Sequence, residues 1–183
     1  GSKIPCISVE ITHEFHRASS KGVGSAKTIG NYASSLYPLN LAKSKGFDEV
    51  MYLNAENELL IDELGSANIF IIKDNIIKTP KLTGAILAGV TRDSVIQIAK
   101  EILKMDVEET EISISDVLSA DEVFCTGTAV VISPIGKITN NEATTKISDE
   151  IGPISLKLRE ILTDIQLQKR EDPFGWIHPV EIN

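Results

Sequence analysis

A glycine-rich loop, Gly22-Val23-Gly24-Ser25, leads to Lys27, and Tyr32 follows five residues later. An amine held beside a loop is a candidate nucleophile for a carbonyl carbon; a lysine near a helix start is also an ordinary solvated residue. Three further segments carry reactive groups. Residues 61–68 place the acidic pair Asp62-Glu63 ahead of Gly65, between two strands, a pattern that also suits a solvated hairpin edge. Gly89-Val90-Thr91-Arg92-Asp93 opens a helical run. The first N–H groups of a helix lack partners and sit at the positive end of its dipole, so Val90 and Thr91 suit an anion such as phosphate. Thr91 could equally be a plain N-cap. Thr126-Gly127-Thr128-Ala129 sets two hydroxyls around a glycine, which either aims backbone N–H groups at a carboxylate or phosphate or makes a simple tight turn.

The elements around these segments follow from periodicity. Ile7, Val9 and Ile11 alternate within a strand over residues 4–12. Tyr32, Leu36, Leu39 and Ala42 recur at helical spacing over 30–45, with Gly46 at the C-cap and Pro38 implying a kink or break. Strands are expected at 49–54, 59–61, 68–73 and 76–78. Asp74-Asn75 turns the last pair into a hairpin, and Thr79-Pro80 ends it. The clearest helix spans 91–103, with Val95, Ile98, Ala99 and Ile102 on one face. A strand at 107–112 precedes a short helix over 113–120, capped by Ser113 or Ser115. Strands at 123–125 and 129–132 flank the threonine turn, residues 136–146 form a hairpin or loop, and a helix over 152–168 carries Pro153 in its first turn. Hairpins mixed with separate helices indicate an α+β or irregular α/β fold rather than regular βαβ alternation.

The 183 residues suit a single domain over 3–183, with Gly1-Ser2 read as an expression-tag remnant. Apolar residues make up 42% and charged residues 24%, enough for one core. A formal charge of −8 provides no footprint for nucleic acid or an anionic membrane. No apolar run approaches the ~20 residues of a membrane helix. Cys6 and Cys125 have no ligand spacing and fit thiols in a reducing compartment, though one disulfide stays open. His13, His16 and His178 make no convincing metal set.

Together, a lysine, a phenol, a carboxylate, a helix N-terminus and a second anion turn match the needs of pyridoxal phosphate. The segments Lys27-Thr28-Ile29-Gly30-Asn31-Tyr32, residues 62–70 (DELGSANIF), Gly89-Val90-Thr91-Arg92, residues 120–129 (ADEVFCTGTA) and Gly175-Trp176 resemble the branched-chain amino-acid aminotransferases, class IV (fold type IV) enzymes using that cofactor. The resemblance runs from about Glu10 to the last residues. It implies that Lys27 forms the Schiff base and shuttles the substrate proton, that Glu63 pairs with the pyridine nitrogen, and that Tyr32 bonds the 3-oxygen. Val90 and Thr91, helped by Thr128, would hold the phosphate, and the amides of Thr128 and Ala129 would receive the substrate carboxylate. The implied reaction moves the amino group of leucine, isoleucine or valine to 2-oxoglutarate. D-amino-acid transaminases and aminodeoxychorismate lyases share this fold and lysine, and a non-catalytic relic is a third reading.

Two departures stand out. Ala88 replaces a frequent family proline, and the glycine-rich run before Lys27 is shorter. The chain also resembles only the larger, C-terminal domain of such enzymes, which implies a mixed sheet or pseudo-barrel with surrounding helices. An N-terminal domain with a phosphate-binding arginine is then missing from it, so the isolated chain is expected to be inactive. The full-length protein is expected to be a homodimer in the cytoplasm, or in an organelle if a leader lies upstream.

Overall fold

The structure, a computed structural model, describes residues 4–180; the dipeptide Gly1-Ser2 lies outside them. Nine strands form one mixed sheet in the order β3-β2-β1-β8-β7-β4-β5-β6, with β9 paired to β8. They are β1 Ile7–Thr12, β2 Glu49–Leu53, β3 Ile61–Leu64, β4 Asn68–Lys73, β5 Ile76–Pro80, β6 Val107–Thr110, β7 Glu122–Gly127, β8 Val131–Asn140 and β9 Ala143–Lys146. β1 runs parallel to β2 and β8, and β5 parallel to β6; the other pairs are antiparallel. Three residues join edge strand β3 to interior strand β4, and Leu64 N–H bonds Ala67 C=O at 2.9 Å. At the other end, Ile61 N–H bonds Ile112 C=O at 2.8 Å and Leu60 bridges Ser113. The sheet therefore curls into a half-barrel.

Strand alternation divides the core. Val9, Ile11, Met51, Leu64, Ile69, Ile71, Val123 and Cys125 fill the concave side. Phe70, Ile72, Phe124 and Ile132 face outward, against Val95, Ile98 and Ala99 and against Leu158, Ile161 and Ile165. Phe70 and Phe124, paired across β4 and β7, stack with ring centroids 5.0 Å apart. The helices supplying that outer layer are α2 (Val90–Gln97), continued by one π-helical turn at Ile98–Ile102, and α4 (Pro153–Gln166). α1 (Ile29–Ser44) covers Val50 and Tyr52, and α3 (Ile114–Leu118) has a Ser113–Asp116 capping box.

Several expectations shift. The helix after Lys27 runs unbroken through Pro38, and its buried stripe is Asn31, Ser35, Pro38 and Ala42, while Leu36 is 59% exposed. The stripe is rotated because Asn31 Nδ2 donates to Val23 and Ala26 C=O at 2.8 and 3.0 Å, turning the polar side chain inward. The strand expected at 59–61 lies at Ile61–Leu64, so Asp62 and Glu63 belong to a buried strand and not to a solvated edge. β5 continues through Thr79-Pro80. Parallel pairing of Pro80 with Thr110 and a bond from Thr79 Oγ1 to Ile69 C=O (2.7 Å) hold it there. The strand expected from Ala129 begins at Val131, because residues 128–130 form the turn. Asp74 and Asn75 both adopt positive φ, 50° and 64°, as the expected hairpin turn requires.

Candidate active site

The seam where β3 turns into β4 opens a cleft of about 440 Å³. Its walls bring together Lys27, Tyr32, Glu63, Val90, Thr91 and Thr128, which lie far apart in the sequence. Ala129 sits in the adjoining turn, exposed and outside that lining.

Each side chain is set by its element. Asn31 ties the first turn of α1 to the preceding loop, so Lys27 emerges from a fixed bend, with Nζ 5.5 Å from the Tyr32 ring centroid. That distance is in cation–π range. Glu63 is 3% exposed. Its Oε1 accepts from Arg17 Nη2 at 2.5 Å and from Leu87 N–H at 3.0 Å, and its Oε2 accepts from Asn68 Nδ2 at 3.1 Å. Burial pushes the Glu63 carboxyl up to about 7, against the opposing pull of Arg17 and the Leu87 amide. Burial thus favours the neutral carboxyl, while the adjoining Arg17 guanidinium favours the charged one.

α2 starts from Gly89 with no side-chain cap, so Thr91 is not its N-cap and the first N–H groups stay available. Gly89 leaves room for the Asn68 amide. A Cβ there would stand 2.2 Å from Asn68 Oδ1, the amide that bridges Glu63 to Leu87 C=O (2.8 Å). Thr126, directly across from Asn68 in the β4–β7 register, lines the cleft with a buried hydroxyl that has no hydrogen-bond partner among the described residues.

A second cleft of about 440 Å³ lies behind β3, lined by Asp62, Glu56 and Glu111 among others. Its acids are already engaged, Asp62 with Asn54, Glu111 with Lys81 and Glu56 with Ser20. It brings no amine together with an uncapped helix start.

Residues 7–138 match the family described as amino-transferase class IV. The chain belongs to that family. Among relatives, branched-chain-amino-acid aminotransferase 5, chloroplastic, of Arabidopsis thaliana is 43% identical over 171 residues, covering 93% of this chain and 41% of that protein. The branched-chain amino acid aminotransferase of Escherichia coli superposes with a TM-score of 0.85 at 30% identity, over 95% of this chain and 55% of that one. The enzyme of Thermobaculum terrenum, in its PLP (holo) form, gives 0.82 at 27% identity, over 91% of this chain and 53% of that one. This chain thus spans less than half of the Arabidopsis relative. These two solved structures bear out the α+β fold with its mixed, barrel-like sheet.

Sequence reasoning missed Arg17, and it gave Asn68 and Thr126 no role of their own although both stood in the segments it singled out. Asn68 stood inside the quoted 62–70 segment, and the β4–β7 pairing then brings Thr126 opposite it. Arg17 lies in a polar loop with no periodicity, and nothing short of the tertiary structure brings it to Glu63.

Proposed function

We propose that this chain is the cofactor-binding domain of a branched-chain-amino-acid transaminase, with pyridoxal phosphate seated in the cleft. The observation that carries the reading is the convergence of Lys27, Tyr32, Glu63 and the uncapped start of α2 on one cavity. The residues fit that group on their own chemistry. A buried carboxyl poised near 7 suits a ring nitrogen, an uncapped helix start suits a phosphate, and the unpartnered Thr126 hydroxyl is left for a ligand.

When bound, the cofactor supplies an aldehyde for Schiff-base chemistry and an electron-accepting ring. Lys27 would hold the aldehyde carbon, Glu63 the ring nitrogen and Tyr32 the 3-oxygen. The amides of Val90 and Thr91, the Thr91 hydroxyl and Thr128 would hold the phosphate. With its amine free, Lys27 would take the proton from the substrate Cα and hold it for return to carbon later in the reaction. The Thr128 and Ala129 amides receive the substrate carboxylate and so aim that Cα at Lys27. The amino group of leucine, isoleucine or valine passes to 2-oxoglutarate, leaving a branched 2-oxo acid and glutamate. A second, N-terminal domain completes the site in a homodimeric full-length protein, in the cytoplasm or an organelle.

A substrate panel on full-length protein tests this. Glutamate formation from L-leucine and 2-oxoglutarate is the expected result. Turnover confined to D-alanine would identify a D-amino-acid transaminase, and turnover of aminodeoxychorismate a lyase. A folded protein that never yellows with the cofactor would be a non-catalytic relic.

A further inference from the structure

Arg17 is 5% exposed, and its Nη2 does three things at once. It meets Glu63 Oε1 at 2.5 Å, donates to Ala85 C=O at 2.7 Å and donates to Gly24 C=O at 3.1 Å. Those partners belong to three of the segments that build the cleft: the strand with the carboxylate, the loop entering α2, and the loop presenting Lys27. The two loops touch where Arg17 reaches them. A Cβ on Gly24 would lie 2.6 Å from Ala85 Cα, so backbone meets backbone at that seam.

We propose that Arg17 is the positioning residue of this site, fixing the Glu63 carboxylate and locking the Lys27 loop to the loop that delivers the start of α2. The inference rests on the proposed function for its catalytic meaning, but its geometry belongs to the protein alone. Arg17 touches neither reacting atom; it acts through Glu63 and through two backbone carbonyls. The other charges acting on Glu63 are its neighbour Asp62, which opposes ionisation, and Arg92 of α2, which favours it. Arg92 is committed elsewhere, to Pro80 C=O at 2.9 Å and to Glu109 at 2.8 Å. Arg17 is therefore the one of these cations in direct contact with the carboxylate.

Two measurements on cofactor-free protein separate this role from simple packing. The first follows the Glu63 side-chain carboxyl resonance against pH, identified by its loss in Glu63→Gln. Arg17→Met, which keeps bulk and removes charge, raises the Glu63 midpoint by about one pH unit or more, and Arg17→Lys returns it toward the wild-type value. The second is amide hydrogen exchange. In the Arg17→Met/Glu63→Gln double variant no buried charge is stranded, so the fold is kept. Exchange at residues 21–28 and 84–89 nevertheless speeds up together, on the order of tenfold, because both carbonyls have lost their shared donor. An unmoved Glu63 midpoint in Arg17→Met, or wild-type exchange of the two loops in the double variant, overturns the proposal. Neither measurement needs cofactor, so a failure of cofactor to bind would sink the functional reading and leave this result standing.

Discussion

At the scale of single residues, Glu63 concentrates the physics of the site. Its carboxyl is raised from an ordinary 4.5 to about 7, chiefly by burial. Between those values the folded state binds more protons than the unfolded state, so this group's contribution to stability falls as pH rises through the window and levels off above it. Melting temperatures of cofactor-free protein should drop across that range, and Glu63→Gln should remove this part of the slope; an identical slope in the variant would contradict the assignment. Gly89 gives a second test. Gly89→Ala drives a methyl into Asn68 Oδ1, the amide that steadies Glu63. Overpacking of this kind costs about 1–3 kcal/mol, measurable as a lower urea midpoint. Among these groups, Lys27, Tyr32 and Glu63 were legible as wording in the chain. Arg17 was not, because an arginine in a polar loop looks the same whether it faces solvent or a buried carboxylate.

Secondary-structure elements were easier to read than their faces. Alternation found β1, β4 and the Asp74-Asn75 hairpin, and spacing found α2 and α4. α1 defeated the same logic, since its inward stripe includes Asn31 and Ser35, chosen for hydrogen bonds rather than for apolarity. β3 was misplaced because its two acids read as a polar turn, whereas pairing with Arg17 and Asn54 lets them lie in a buried strand. α4 shows a polar device of the same kind. Its first turn has no cap of its own, and Glu122 of β7 reaches across to accept from Ile154 N–H (3.0 Å), Ser155 N–H (2.9 Å) and Ser155 Oγ (2.5 Å). Glu122 is 8% exposed, so Glu122→Ala leaves buried donors unmet and should cost about 1–3 kcal/mol. In urea unfolding the midpoint should fall with the m-value unchanged; an unchanged midpoint would show that α4 does not depend on Glu122.

For the whole molecule, the half-barrel explains why distant segments meet. The three-residue link from β3 to β4 folds the sheet back on itself, and the Lys27 loop, α2 and the β7–β8 turn all open onto that seam. Fold class was readable from the mixture of hairpins and helices. The barrel-like curvature came only through the family resemblance, because it arises from strand order, which local patterns do not encode. On the reading proposed here, the 183-residue chain holds one wall of a larger site. Given pyridoxal phosphate, L-leucine and 2-oxoglutarate, it alone should form no glutamate, whereas the full-length protein should; turnover by the short chain would show that its cleft is already sufficient. The central claim rests on one amine. Full-length protein loaded with pyridoxal phosphate, reduced with borohydride and digested should carry the pyridoxyl label on Lys27, and Lys27→Ala should carry none. A label on any other lysine, or none on the folded wild-type protein, would contradict the account.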